Sequence, residues 1–279
     1  MQELADEWHR FLDGIEPAPG LLAAARVRLG RGSLFARPCA REVARLEWRA
    51  AAAAGAGRVA DACARYEEAA ARSGSAAALV SAGDVRARAG DLDRAEESFR
   101  AAALAAGDDV VLRAAISAAE GDLAWRRGEV AAAIASWSAA LGAHPDRAEE
   151  RLLEAKIVAA GDQALSTAAR PLLLGEGDPG VALARVALVP HPLSAYLVGR
   201  ALASRGEAAA AIPPLERGAA GTLPSALARE AVSLLAQARC ASGARGAGEA
   251  TLRALASGAA SAADRARAAE ALRRCARGR

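Results

Sequence analysis

Residues 79–102 read LVSAGDVRARAGDLDRAEESFRAA, and residues 117–141 read SAAEGDLAWRRGEVAAAIASWSAAL. In each, a glycine (Gly83, Gly121) is followed seven residues later by Gly90-Asp91 or Gly128-Glu129. Counting from that second glycine, alanine stands at +5, an aromatic at +9 and alanine at +12: Ala95, Phe99, Ala102 and Ala133, Trp137, Ala140. Alanine richness alone does not produce five matches at one spacing. Repeats of this length mark a solenoid.

The second glycine serves as a marker along the chain. Gly57, Gly90, Gly128, Gly161, Gly206 and Gly243 fall in line at intervals of 33, 38, 33, 45 and 37 residues. The first unit carries Ala62, Tyr66 and Ala69 in the same register. The last three units keep the pattern only in part: Ser166, Arg170, Leu173; Ala211, Leu215, Gly218; Gly248, Leu252, Leu255. A marker glycine closes one helix because it takes positive φ at little cost. The acidic residue after it, as in Asp91, Glu129, Asp162 and Glu207, is placed to cap the next helix and to meet its positive dipole end. Each unit is therefore expected to be helix, tight turn, helix.

Gly83, Gly121 and Gly199 then fall in mid-helix, where glycine costs about 1 kcal/mol relative to alanine. Close approach of a neighbouring helix is the expected compensation. Ala95 and Ala133 are expected to face that contact, with Phe99 and Trp137 filling the core one turn further on.

These residues resemble the tetratricopeptide repeat, whose consensus runs Trp, Leu-Gly, Tyr, Gly-Asp, Ala, Phe or Tyr, Ala and Pro. Gly83, Gly90, Ala95, Phe99 and Ala102 match in one unit, and Gly121, Gly128, Ala133, Trp137, Ala140 and Pro145 in the next. The consensus Trp and first-helix Tyr are replaced by Leu79 and Arg86, and by Ser117 and Ala124. The resemblance implies an all-α fold, a right-handed superhelical solenoid of antiparallel helix pairs. It spans residues 43–262 with an irregular insertion near 171–192, and is flanked by an N-terminal helical cap at 1–42 and a C-terminal capping helix and basic tail at 263–279.

Composition agrees with that class. Of the 279 residues 53% are hydrophobic and only 3% aromatic, so helix forms easily while each helix pair buries little area and must stack on its neighbours. Strand alternation is absent, and arginines interrupt every apolar run long enough to span a membrane. Two segments disturb the array. PLLLGEGDPGVALARVALVPHP, residues 171–192, predicts a loop over Gly175–Gly180 and a short helix from Val181 to Val189. Pro213 and Pro214 predict a kink or a late helix start. Met1–Asp13 reads as a short acidic helix packing Leu4, Trp8, Phe11 and Leu12.

The net charge of +3 argues against nucleic acid as a partner. Arginines concentrate locally between Arg26 and Arg49 and again at Arg265, Arg267, Arg273, Arg274, Arg277 and Arg279. Those stretches read first as solvated helix faces, with an anion-binding patch as the alternative. His9, His144 and His191 are far apart, and no metal-ligand spacing, phosphate-binding loop or nucleophile motif is present. No catalytic, cofactor-binding or metal-binding residue is assigned. Cys39, Cys63, Cys240 and Cys275 show no paired spacing and read as buried thiols of a reducing compartment, with a Cys39–Cys63 pairing left open. The start MQELADEWHRFLDG has neither a basic beginning nor an apolar core, so cytoplasm is the expected location.

Tetratricopeptide arrays bind peptides or folded proteins on a concave surface lined by the first helices of their units. In this register the groove would hold Glu47, Asp84, Asp122 and Trp125 in the first half, with Tyr196, Arg200 and Gln237 in the second. The Lys and Asn with which one branch of the family clamps a C-terminal carboxylate are missing there. The expected role is a non-catalytic protein-protein interaction scaffold or adaptor for a segment with basic residues near Asp84 and Asp122. The alternatives are a regulatory or sensory module of a signalling or transcription system and, third, a superhelical enzyme-associated domain of the lytic transglycosylase type, for whose catalytic domain the chain has no room.

Overall fold

The computed structural model describes residues 39–143, 146–259 and 262–277. The expected helix at Met1–Asp13 and its four packing residues lie outside these. All regular structure among the described residues is α-helical, and fourteen helices pack largely in sequence order. They divide into two compact units between Pro145 and Asp146.

The first unit is three helical hairpins. They are α1 (Ala40–Gly55) with α2 (Val59–Ser73), α3 (Ala76–Arg88) with α4 (Leu92–Ala106), and α5 (Val110–Arg127) with α6 (Val130–Gly142). Ser75 and Asp109 start α3 and α5 by accepting hydrogen bonds from amides in the first turn. The marker glycines Gly57, Gly90 and Gly128 all take positive φ, as expected. Asp91 caps α4 through the amide of Arg94, but Glu129 makes no side-chain cap to α6. The extra methylene explains the difference: Asp belongs to the strong cap residues and Glu does not.

The mid-helix glycines face large side chains rather than alanines, which corrects the expected contact. A Cβ on Gly83 would clash with the edge of the Phe99 ring, and one on Gly121 would lie 2.5 Å from the Trp137 indole. Phe99 and Trp137 are 1% and 0% exposed. Full burial of such a ring is worth about 1.5–3 kcal/mol, more than the roughly 1 kcal/mol that glycine costs the helix. Trp137 also packs edge-on against Trp125, with ring centroids 5.3 Å apart.

The second unit begins with α7 (Arg147–Gly161), α8 (Gln163–Leu173) and α9 (Pro179–Ala187). It continues with α10 (Pro192–Ser204), α11 (Ala208–Ala220), α12 (Ser225–Ala241), α13 (Arg245–Ser257) and α14 (Ala262–Arg277). The insertion predicted near 171–192 is α9 and its flanking turns. The helix starts at Pro179, two residues before the expected Val181, because Asp178 caps it and proline suits the first helical position. Gly206 and Gly243 take positive φ, whereas Gly161 ends α7 inside the helix and Asp162 turns the chain in extended conformation. The same Asp162 caps α8 through the Leu165 amide, whereas Glu207, like Glu129, makes no side-chain cap. Helix α11 starts on schedule at Ala208 and runs through Pro213 and Pro214, so the expected late start is not observed. Gly199 repeats the first unit's device beneath Leu215, since a Cβ there would lie 2.6 Å from Leu215 Cγ.

Cys240 and Cys275 form a disulfide that ties α12 to α14. This corrects the reading of the four cysteines as thiols. Cys63 is a buried free thiol bonded to the Ala82 carbonyl, and Cys39 is free and exposed. The pair was illegible because it spans 35 residues without a motif. Gly248 on α13 makes room for it, since a Cβ there would lie 2.5 Å from Cys240 Sγ and 2.7 Å from the Ala236 carbonyl.

Two outcomes are expected in denaturant unfolding. Gly83→Ala should lose about 1–3 kcal/mol by overpacking against Phe99. Gly142→Ala, with no atom within 4 Å of the new methyl, should be neutral or gain up to about 1 kcal/mol. Separately, Cys275→Ala should destabilise by about 2–4 kcal/mol, and a reductant should lower the melting temperature of the wild type and leave that of the variant unchanged.

Candidate functional site

Seven residues were expected in the groove. In the first unit, Glu47 on α1 and Asp84 on α3 are half-buried, and the negative charge of both helps hold the Tyr66 phenol above its ordinary range, after the larger effect of burial. Asp122 accepts a hydrogen bond from Trp137 Nε1 at 3.0 Å, so it anchors the indole. Trp125 is 1% exposed and offers no surface to a partner, a correction that follows from its packing on Trp137.

In the second unit, Tyr196 and Arg200 on α10 meet at Glu230 on α12, and Gln237 lies about two turns further along α12. The Tyr196 hydroxyl donates to Glu230 at 2.7 Å, and Arg200 approaches the same carboxylate at 3.9 Å. Gln237 bonds Ser233 one turn away. Tyr196 is fully buried, so its ring is core and only its hydroxyl takes part in the polar cluster. Burial, reinforced by the Glu230 bond and charge, pushes its phenol far above the usual tyrosine range.

Sequence reasoning missed the other half of this cluster, which α7 supplies. Arg147, Glu150, Arg151 and Glu154 stand at helical positions i, i+3, i+4 and i+7 and form one stripe. Arg147 pairs with Asp264 on α14 at 2.5 Å, Glu150 with Arg229 at 3.9 Å, and Arg151 with Glu230 at 2.5 Å. Glu154 accepts from the amides of Ala226 and Leu227, each at 3.1 Å. That last contact has a local cause. The residue before α12 is Pro224, which has no side chain able to cap, so a carboxylate 72 residues distant caps the helix instead. One signal was present in the sequence: the register position that holds Gly83, Gly121 and Gly199 in other units holds Glu154 in the fourth.

A cleft of about 590 Å³ lies between α7, α12, α13 and α14, bordered by Arg147, Arg151, Glu230, Gln237 and Asp264. A second of about 530 Å³ opens beside the disulfide between α10, α12 and α14, with Arg200, Glu230 and Arg274 on its rim. The carboxylates of the first cleft are engaged with guanidinium and phenol groups, which suits the region to holding a charged helix face. At the C-terminal end, Arg267 pairs with Asp264, and Arg273 and Arg274 pair with Glu270. Among the described residues no group of histidine, cysteine and carboxylate side chains is arranged to hold a metal, and no helix is long and apolar enough to cross a membrane.

Comparison with protein-family models, curated proteins and solved structures finds no match.

The Tyr196 phenol gives a pH prediction. Its folded pKa lies above the unfolded value, so its contribution to stability is complete below the unfolded pKa, about 10. That contribution is lost as pH rises toward the folded value. Urea midpoints measured between pH 8 and 11 should fall steeply above pH 10 for the wild type and less steeply for Tyr196→Phe.

Proposed function

We propose that this chain is a non-catalytic scaffold or adaptor, a right-handed superhelical solenoid of the tetratricopeptide type that holds a peptide or protein partner against the first helices of its pairs. The supporting observation is the packing of first helix on first helix: α3 meets α5 in the first unit, while α10 meets α12 and α12 meets α14 in the second. Such packing lines up one side chain stripe from each pair on a common face.

In the first unit that face carries Glu47 and Asp84, which favours a segment with basic residues. Asp122 contributes less than the sequence led one to expect, because Trp137 already uses it. A regulatory module is the second reading, favoured by the second unit, where the equivalent face is already covered by a helix of the same chain. The expected cytoplasmic location and the Cys240–Cys275 disulfide point in opposite directions, since cytosolic thiols are kept reduced. Thiol trapping in intact cells decides between them.

The role is tested by capture from nuclease-treated lysate at low and high salt. Wild type is compared with a Glu47→Arg, Asp84→Arg chain of unchanged circular dichroism. The scaffold reading expects a protein retained by the wild type at both salts and lost on the variant. Equal retention on both chains, or recovery of salt-labile anionic material only, contradicts it.

A further inference from the structure

We infer that the α10–α12–α14 face of the second unit is a docking surface for an α-helix bearing a basic-acidic-basic-acidic stripe, and that α7 occupies this surface in the free chain as a built-in competitor. The inference concerns the second unit alone and does not depend on the first unit's groove.

Complementarity carries it. The acceptor face presents, in order along α7, Asp264 for Arg147, Arg229 for Glu150, Glu230 for Arg151 and the start of α12 for Glu154. Four contacts of alternating sign at i, i+3, i+4 and i+7 define the hand, direction and register of the helix that fits. Along the stripe the contacts are ion pairs, with hydrogen bonds at Arg147 and Glu154, while elsewhere α7 buries Leu153, Ala155, Ala159 and Ala160. Arg147, Arg151, Asp264 and Glu230 remain 19–32% exposed, and a cleft of about 590 Å³ runs beside the contact. An incoming helix with the same stripe therefore replaces each ion pair with an equivalent one, without a change in buried charge. Specificity comes from the penalty for mismatch, because a helix in the wrong register sets Arg against Arg229 and leaves the α12 amides unbonded.

The start of α12 strengthens the case. Six helices use the Ser or Asp immediately before them, and α1, α2, α6, α11 and α13 have no side-chain cap; α12 differs from both groups in taking its cap from a distant carboxylate. Helix α12 has Pro224 there and receives its cap from Glu154. The order of its first turn is thus tied to an occupied docking surface, so the occupant is sensed directly by the helix at the centre of the unit.

The competitor lowers apparent affinity in proportion to the fraction of open chain. The probe is a synthetic peptide of residues 146–161, labelled with a fluorophore, with a second peptide of the same composition and a scrambled stripe. Binding is measured by anisotropy to the full chain and to an Arg151→Glu, Glu154→Arg chain, which repels its own α7 and leaves the acceptor face intact. The stripe peptide should bind this variant about tenfold or more tightly than the wild type, lose affinity as salt is raised, and fail to bind once Glu230→Arg is added. The scrambled peptide should bind none of them. Equal binding of the peptide to wild type and variant, or no binding to a variant that keeps its helical circular dichroism, overturns the inference. If the double variant unfolds, the same titration is made with Glu154→Gln, which removes the capping charge without reversing it. No gain over the wild type in that chain also overturns the inference.

Discussion

A glycine buried under a large side chain closes three of the helix pairs of this protein, and much of the rest depends on that contact. Alanine-rich helices have little to bury, so the axes must come close before anything can pack. Removing a single methyl at Gly83, Gly121 or Gly199 lets Phe99, Trp137 or Leu215 lie flat on the opposite backbone. The last pair inverts the arrangement. There Gly248 sits on the second helix and Cys240 on the first, so the disulfide takes the volume that a ring fills elsewhere.

That contact explains why much of the fold was legible. Only glycine tolerates both the mid-helix close approach and the positive φ of the turn, so both positions leave a trace in the sequence. Where chemistry offered an alternative, the trace faded: at Gly161 the turn is made by extended Asp162, and the glycine simply ends a helix. The prolines of α11 do not delay the helix, for a related reason. Proline forbids an amide donor but not a helical backbone, and the tight packing of Gly218 against the Tyr196 backbone holds this helix in place through them.

The candidate site was only half legible. Tyr196, Arg200 and Gln237 follow from the repeat register, but as groove surface, and Tyr196 is buried in the core instead. The α7 residues, one of which shares Glu230 with Tyr196 and Arg200, do not, because RAEERLLE has the look of an ordinary solvated helix face. Glu230 lies 79 residues from Arg151 and Asp264 lies 117 from Arg147, and local periodicity carries no information over such distances. Conversely, Trp125 occupies a groove position in the register, yet the edge-on contact with Trp137 withdraws it into the core. A register predicts which way a residue leaves the helix; what waits for it there is decided by the neighbouring element.

The most direct test of this account is a double-mutant cycle on the first clear pair, measured by equilibrium denaturation of Gly83→Ala, Phe99→Leu and the two combined. If the glycine exists to admit the ring, the smaller leucine relieves the new methyl. The double variant is then more stable than the sum of the single effects by about 1 kcal/mol or more, the range expected of residues in contact. Additive effects within about 0.5 kcal/mol would mean that Gly83 and Phe99 do not sense each other, and would contradict the packing on which the helix pairs rest.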